Sequence, residues 1–203
     1  MSPLPKRFFD PIDQIPTAVD NFEDFDWMFP KEDRPKTKSG HFEGLIWMLR
    51  NEGEFLWECV KKRPPRTNIV EIGRCEGGSA VLMGAAMNNG ELLSVDIDPV
   101  DDDQLVKILE LLGISNVELA IGDSSSYEPK IKNVGLLLID GDHKYESVKA
   151  DYEHWISSVV RGGLVLFHDV KSGTGPNILY RKLTAAGSLH PIKAVGTLAA
   201  LRY

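Results

Sequence analysis

Five short apolar runs alternate with longer segments between Asn68 and Val170, and this alternation constrains the fold more than any other feature of the chain. The runs are apolar almost throughout, as strands buried on both faces are: NIVEIG, LLSVDID, VELAIGD, VGLLLIDG and GGLVLFHDV. Three of the segments between them carry apolar residues at helical spacing and end at glycine. Strand alternating with helix predicts an α/β fold, a Rossmann-like, doubly wound and mainly parallel sheet.

The C-terminal part of the chain predicts a helix followed by an antiparallel pair of strands. PNILYRKLTAAG has helical spacing, and HPIKAVGTLAALRY divides into two strand-like halves at Gly196 and Thr197. Because so tight a connection joins only antiparallel neighbours, we expect one reversed strand at the end of the parallel sheet.

The N-terminal part has a different composition. Residues 1–38 are rich in proline, aspartate and aromatic residues, which predicts an arm or lid lying across another surface. From Ser39, a plausible cap, the spacing predicts an amphipathic helix that RPPR ends. We therefore divide the chain into an N-terminal arm and helix, 1–60, which act as a lid or cap, and a second part, 61–203. If the chain forms a homo-oligomer, we expect the arm to make the contact.

Composition and charge exclude several classes of protein. With 203 residues, 42% of them hydrophobic, the chain can form one substantial core. A net charge of -7 disfavours nucleic acid as a partner. The first residues contain no apolar run of secretory or membrane-spanning length, so we expect a cytoplasmic protein without a membrane partner. The cysteines, Cys59 and Cys75, lack the spacing of a thiolate metal site.

The loop after the first predicted strand, VEIGRCEGGSA, has the glycines of a ligand-binding turn. It lacks the second glycine of the dinucleotide motif GxGxxG, and we expect Arg74 and Glu76 to crowd the place of a diphosphate. Glu71 would repel such an anion but suits a cationic ligand. Asp96, at the end of the second strand, is placed to accept both hydroxyls of a ribose. The alternative is a generic turn with Asp96 as a helix cap.

The fourth and fifth predicted strands end in residues that can bind a metal. Asp140 follows the fourth strand, and His168 and Asp169 follow the fifth, which is its expected neighbour. These side chains predict a mixed oxygen and nitrogen site for Mg²⁺, Mn²⁺, Fe²⁺ or Zn²⁺. The alternative is that Asp140 contacts only a cofactor while the other two cap a loop. His143 is a candidate general base, or else a loop residue that orients Asp140 or Tyr145.

The order and spacing of these motifs resemble the class I S-adenosylmethionine-dependent methyltransferases. The resemblance rests on VEIGRCEGGSA, LLSVDIDP, AIGDSS, LLLIDGDHKYESVKADYEHW and GGLVLFHDV, and it covers residues 68–203. It is strongest to the small-molecule O-methyltransferases that include the macrocin and mycinose-type enzymes and the cephalosporin hydroxylase-like proteins. Metal-dependent relatives bind the metal at the same strand ends, usually with an acid on the fourth strand and a consecutive acidic or amide pair on the fifth. This chain departs from that pattern, because His168 stands in the first position of the pair.

The resemblance implies a role for each residue of the predicted cofactor site. Glu71 and Gly73 would lie near the amino acid part of S-adenosylmethionine, and Ser79 would help to hold it. Asp96 would accept the ribose hydroxyls, and Ile97 would lie against the adenine. The remaining contacts are expected at the adenine edge, from Asp123 and Ser124, and beside the metal, from Asp140.

The resulting expectation is an S-adenosylmethionine-dependent O-methyltransferase that acts on a hydroxyl of a small molecule, such as a sugar or a natural-product intermediate. A divalent cation, Mg²⁺ or Mn²⁺, on Asp140, His168 and Asp169 would lower the pKa of that hydroxyl, and His143 would take its proton. Two rival functions remain at this point: an NAD-binding oxidoreductase, and a catalytically silent nucleoside-binding scaffold.

Overall fold

The computed structural model describes residues 19–29, 45–99, 101–128 and 130–203. Within these ranges the chain forms one seven-stranded sheet in the order β3-β2-β1-β4-β5-β7-β6. The strands are β1 (Asn68–Ile72), β2 (Leu92–Asp96), β3 (Val117–Ile121), β4 (Val134–Ile139), β5 (Val159–Phe167), β6 (His190–Val195) and β7 (Leu198–Arg202). The predicted Rossmann-like α/β class is confirmed.

Strands β1 to β5 are parallel, and their register brings the polar residues after them to one edge. Ile72, at the end of β1, lies beside Val95 of β2 and Ile139 of β4. Ile139 in turn pairs with Phe167 of β5. The next residues along each strand therefore emerge together at the carboxyl edge, where ligands bind in open α/β sheets.

In the part of the chain that the structure describes, five α-helices cover the two faces of the sheet. They are α1 (Arg50–Lys62), α2 (Gly78–Ala86), α3 (Asp102–Leu111), α4 (Tyr145–Trp155) and α5 (Gly175–Ala185). Alternate residues of β4 face opposite sides, because side chains along a strand have a period of two. Leu136 and Leu138 pack in one core with α1, α2 and α3, whereas Leu137 and Ile139 pack in a second core with α4 and α5.

The C-terminal pair is antiparallel, as predicted, and β7 is the reversed strand. It lies between β5 and β6 and pairs antiparallel with both. Strand β6 is therefore the edge of the sheet and runs in the direction of the parallel strands. The turn between β6 and β7 places Gly196 at φ 56°, in the left-handed region that glycine tolerates.

The described part of the N-terminal arm packs against the first core. Phe22–Met28 forms a 3-10 helix in which Phe25 and Met28 are fully buried, and the Phe25 ring lies 5.6 Å from that of Trp57. The helix predicted from Ser39 begins only at Arg50, and residues 45–49 before it are not helical. Residues 39–44 lie outside the described ranges. The lid function of the arm, the boundary at residue 60 and the oligomer contact stay predictions.

Two other expectations concern the cysteines and the membrane. Cys59 and Cys75 are both free thiols. Among the helices in the described residues, none is long and apolar enough to span a bilayer.

Candidate cofactor and catalytic site

A cleft of about 830 Å³ opens at the carboxyl edge of the sheet. It is bordered by the loops after β1, β2, β3 and β4 and by one face of α4. Its acidic lining residues are Asp96, Asp98, Asp123, Asp140, Asp142, Glu146 and Asp151. No lysine or arginine is among the described residues that line it. The cleft is therefore suited to a ligand that carries positive charge and hydrogen-bond donors.

Asp96 organises the loop after β1 through main-chain amides. One of its carboxylate oxygens accepts hydrogen bonds from the amides of Arg74 and Cys75, at 2.8 and 2.9 Å, and the other accepts from the amide of Asp98 at 2.9 Å. Asp96 also lines the cleft, as its predicted ribose role requires. The carboxylate is thus held in place before any ligand binds.

Gly73 joins this loop to the end of β4. It has a φ of 82°, and a Cβ atom added to it would lie 2.3 Å from the carbonyl oxygen of Asp140. Both the backbone conformation and the close approach therefore require glycine. The structure brings Gly73, Asp96 and Asp140 together at the cleft, as the sequence predicted.

Arg74 does not crowd the ligand position, and the prediction that it would is wrong. Its side chain is fully buried, and its guanidinium donates two hydrogen bonds to Asp102, at 2.8 and 2.5 Å. It also donates to the carbonyl groups of Ser94 and Ala120. The side chain instead ties the start of α3 to the sheet.

Glu71 and Ser79 form a buried pair that does not line the cleft. Glu71 accepts hydrogen bonds from the hydroxyl groups of Ser79 and Ser94. Burial, the largest influence, raises the pKa of Glu71 to about 7 in spite of these two donors. The predicted contacts of Glu71 and Ser79 with the cofactor stay predictions.

The adenine end of the predicted site lies after β2 and β3. Ile97 is 72% exposed and presents an apolar surface to the cleft. Asp123 and Ser124 also line the cleft. The Ser124 hydroxyl donates to Asp151 of α4 at 2.5 Å. Asp151 was missed from the sequence, although an acid on the buried stripe of an amphipathic helix was a usable signal.

A compact group of residues that can bind a metal adjoins the cleft at Asp140, which lines it, whereas His143 and Asp169 lie next to it outside the lining. We call this group the catalytic end. Asp140, His143 and Asp169 each offer a ligand atom, and these atoms all lie within 4.8 Å of one another. The Nε2 atom of His143 is 3.0 Å from a carboxylate oxygen of Asp169, and Lys171 Nζ is 2.5 Å from the other oxygen. The ion-pair partner of His143 is thus Asp169, and Asp140 lies in the same group. The roles expected for His143, general base or loop residue, stay predictions.

His168 bridges carboxylates with both ring nitrogens. Nδ1 is 2.9 Å from Asp140, while Nε2 is 3.5 Å from Glu52 of α1 and 3.3 Å from the Thr197 hydroxyl. Burial alone would lower the pKa of His168, but the neighbouring carboxylates, Asp140 foremost, raise it to about 10. Metal binding by His168 stays a prediction, and the geometry places its ring as a support for Asp140.

Glu52 and Thr197 complete that support, and sequence reasoning found neither. Glu52 is buried and accepts hydrogen bonds from the Thr197 amide and hydroxyl, at 2.5 and 2.8 Å. A Cβ atom on Gly196 would lie 2.3 Å from the same carboxylate. The two residues come from opposite ends of the chain, so spacing carried no signal for their contact.

Main-chain contacts fix the two loops that carry the catalytic group. The Gly175 amide, at the start of α5, donates to the carbonyl oxygen of His143 at 2.9 Å. A Cβ atom on Gly175 would lie 2.4 Å from the Tyr145 amide nitrogen. Asp169 has a φ of 52°, an uncommon conformation for a residue with a side chain. Close packing and local strain therefore coincide at the candidate catalytic residues.

A family model described as a methyltransferase domain matches residues 70–170, about half of the chain. An uncharacterised protein of Acanthamoeba polyphaga mimivirus is 31% identical over 113 residues, which are 49% of this chain and 50% of that protein. An uncharacterised protein of Sinorhizobium fredii is 49% identical over 39 residues, 19% of this chain and 4% of that protein. The match thus spans at most half the length of these relatives.

Solved structures of O-methyltransferases share the fold. TomG from Streptomyces achromogenes, in complex with S-adenosylmethionine, is 18% identical with a TM-score of 0.58, covering 79% of this chain and 83% of TomG. An O-methyltransferase from Bacillus cereus, in complex with S-adenosylhomocysteine, is 20% identical with a TM-score of 0.61, covering 75% and 81%. NovP is 16% identical with a TM-score of 0.60, covering 79% and 82%.

Proposed function

The chain belongs to the methyltransferases, by the domain that residues 70–170 match, and on that premise we propose that it is a class I S-adenosylmethionine-dependent enzyme. It would transfer the methyl group to a hydroxyl of a small molecule, assisted by a divalent cation. The acidic cleft carries this proposal. S-adenosylmethionine bears a sulfonium and an ammonium group, whereas NAD bears a diphosphate. A cleft with seven carboxylates and no lysine or arginine among its described lining residues favours the cation and repels the diphosphate.

The cofactor would lie along the carboxyl edge from β1 to β3. Gly73 lets its amino acid part approach the main chain, and Asp96 accepts the ribose hydroxyls. Ile97 packs on the adenine, and the loop at Asp123 and Ser124 borders the edge of the base. The cleft lining supports these positions. Two enzymes that share the fold were solved in complex with S-adenosylmethionine and with S-adenosylhomocysteine.

The donor atoms at the catalytic end fit a divalent cation. Asp140 and Asp169 supply carboxylate oxygens and His143 an imidazole nitrogen, a set that suits Mn²⁺, Fe²⁺ or Zn²⁺ as well as Mg²⁺. A bound cation would lower the pKa of the acceptor hydroxyl. We propose that these three residues hold it and that His168 orients Asp140 from behind, as residues behind a metal ligand commonly do.

The metal-ligand role proposed for His143 excludes the general-base role expected from the sequence. Its ring faces Asp169 at 3.0 Å, an arrangement that also orients the imidazole of a general base. A histidine bound to a cation has no free lone pair for the proton of the acceptor. Mn²⁺ titration of His143→Ala separates the roles: a metal ligand predicts at least a tenfold weaker affinity, and a base predicts no change.

Calorimetric titration with S-adenosylhomocysteine and with NAD tests the cofactor. We expect S-adenosylhomocysteine to bind at micromolar concentration and NAD not to bind, because the acidic lining repels its diphosphate. NAD binding without S-adenosylhomocysteine binding would support the oxidoreductase instead. Binding of S-adenosylhomocysteine with no methyl transfer to any compound of a hydroxylated sugar and natural-product panel would support the silent scaffold.

The metal has its own test. A chelator should abolish methyl transfer while leaving the affinity for S-adenosylhomocysteine within about threefold, since the cation lies at the other end of the cleft. Full activity in excess chelator would remove the cation from the proposal and leave the cofactor assignment intact. The small-molecule acceptor remains a prediction from the resemblance, and the cytoplasmic location and the absence of nucleic-acid and membrane partners remain predictions from composition and charge.

A further inference from the structure

Two acids flank the adenine end of the cleft, and their surroundings differ. Asp123 lies on the loop after β3, and Asp151 lies on the second turn of α4. Both line the cleft. Of the two acids, only Asp123 was expected at the base from the sequence, so the structure adds a second carboxylate at this end.

Asp123 is exposed and already supplied with donors. One of its oxygens accepts hydrogen bonds from the Ser125 amide at 2.9 Å and from the Ser125 hydroxyl at 2.7 Å. These hydrogen bonds lower the pKa of Asp123. A carboxylate that is solvated and paired in this way gains little from a further donor on a ligand.

Asp151 is buried, with 5% of its surface exposed, and has fewer donors. Within the described residues its hydrogen-bond donor is the Ser124 hydroxyl, on Oδ1. Its Oδ2 atom lies 3.9 Å from the place of a Cβ atom on Gly141, which also lines the cleft. Burial raises the pKa of Asp151, opposed by the Ser124 hydroxyl, and the nearby charge of Asp123 raises it further. A hydrogen-bond donor on a ligand would give the Asp151 carboxylate a second hydrogen bond.

The position of Asp151 is fixed by the contacts around it. Trp155 Nε1, one turn further along α4, donates to the Ser124 carbonyl oxygen at 2.9 Å. His154 Nε2 lies 2.8 Å from the Tyr127 carbonyl oxygen. Helix α4 therefore holds the loop after β3 at three points, through Asp151 and these two residues. Such a carboxylate is preorganised for one ligand geometry, which favours selectivity.

We propose that Asp151 accepts a hydrogen bond from the exocyclic amino group of the cofactor's adenine and thereby selects an amino-purine over an oxo-purine. The proposal rests on the proposed function, since it needs S-adenosylmethionine in the cleft. An oxo group at the same position would place oxygen lone pairs opposite the buried Asp151 carboxylate. The two acceptors would repel each other, and no hydrogen bond would form. Sites built to pair a polar group reject an analogue that lacks it much more strongly than apolar pockets do.

The test compares S-adenosylhomocysteine with S-inosylhomocysteine by calorimetry on the wild-type chain and on three variants. We expect the wild type to bind the adenosyl compound at least about 20-fold more tightly. In Asp151→Asn the amide oxygen can still accept from Ser124, and its NH₂ can donate to the oxo group. The preference should therefore fall to within about threefold. Asp123→Asn tests the rival acid: Asp123 also lines the cleft, so the affinity for the adenosyl compound can change, but the preference should remain. Asp103→Asn, at an exposed acid on α3 outside the cleft lining, is the control and should keep both affinity and preference.

The outcomes separate this proposal from the proposed function. Binding of neither compound by the wild type overturns both. Adenosyl binding with the preference kept in Asp151→Asn, or lost instead in Asp123→Asn, overturns the role of Asp151 alone. Thermal unfolding shows whether Asp151→Asn is folded. If Asp151→Asn does not fold, the affinities of the wild type still test the proposal, because equal affinity for the two compounds would contradict it.

Discussion

The two ends of the cleft hold their carboxylates by different means. At the nucleoside end, around β1 to β3, Asp96 accepts three hydrogen bonds from main-chain amides. At the catalytic end, around β4 and β5, Asp140 contacts the His168 imidazole, and Asp169 contacts Lys171 and His143. The first arrangement depends on backbone geometry and the second on the charges of side chains.

This difference corresponds to what each end would bind. A cofactor of constant shape is served by a site whose acceptors are fixed by the main chain. A cation is different, because it competes directly with the positive side chains around the acids. Lys171, which is 59% exposed, can leave Asp169 when another cation arrives. The catalytic end is thus adjustable, and the nucleoside end is fixed.

Gly73→Ala should have the largest effect, because Gly73 joins the two ends. The added methyl would strike the Asp140 carbonyl group at 2.3 Å in a left-handed conformation. We expect a loss of more than about 3 kcal/mol in the free energy of unfolding, together with loss of S-adenosylhomocysteine binding. Urea unfolding and calorimetry measure the two effects.

Gly113→Ala is the matched control for that variant. Gly113 also has a positive φ, 67°, but nothing lies within 4 Å of the place of its Cβ atom. We expect a loss of about 1 kcal/mol with unchanged binding. Equal losses of unfolding free energy in the two variants would show that glycine is needed at position 73 only for its backbone conformation. The close contact of Gly73 with Asp140 would then contribute nothing.

Glu71→Gln should change how stability depends on pH. The folded pKa of Glu71, about 7, lies above the ordinary value of 4.5, so the folded state retains a proton that the unfolded state releases. Its contribution is present at pH below 4.5 and is lost as pH rises to 7, by on the order of 3 kcal/mol. Urea unfolding at pH 5 and pH 8 should show this loss in the wild type and not in Glu71→Gln.

Glu118→Gln serves as the control, since Glu118 lies exposed on β3. Its stability should follow the wild-type pH dependence. If Glu71→Gln loses as much stability as the wild type between the two pH values, Glu71 is ionised in the folded state throughout this range. The nucleoside end would then contain a buried carboxylate charge, contrary to the comparison drawn above.

A pair of isosteric variants tests whether the ends act separately. Asp96→Asn should weaken S-adenosylhomocysteine binding about 30-fold, because a ribose acceptor becomes an amide, and leave Mn²⁺ binding unchanged. Asp140→Asn should weaken Mn²⁺ binding about as much and change S-adenosylhomocysteine affinity less than threefold. Loss of both affinities in either variant would mean that the two ends form one coupled site.

Much of the fold could be predicted from the sequence, because buried parallel strands leave a strong local signal. The runs around Ile72, Ile139 and Phe167 are apolar on both faces, and each becomes polar where it leaves the sheet. The start of α1 could not be predicted in this way. Glu52 accepts a hydrogen bond from the Leu49 amide at 2.8 Å, and the helix begins at Arg50 rather than near Ser39.

The sequence by itself determined that Asp96, Asp140 and Asp169 follow strands of one sheet, because hydrophobic periodicity is a local property and parallel strands end at a common edge. Only the tertiary structure decided what surrounds each carboxylate. The partnership of Asp151 with Ser124 joins a helix to a distant loop. The support of His168 by Glu52 spans most of the chain. Such contacts depend on the packing of elements far apart in sequence, so the spacing of residues along the chain does not predict them.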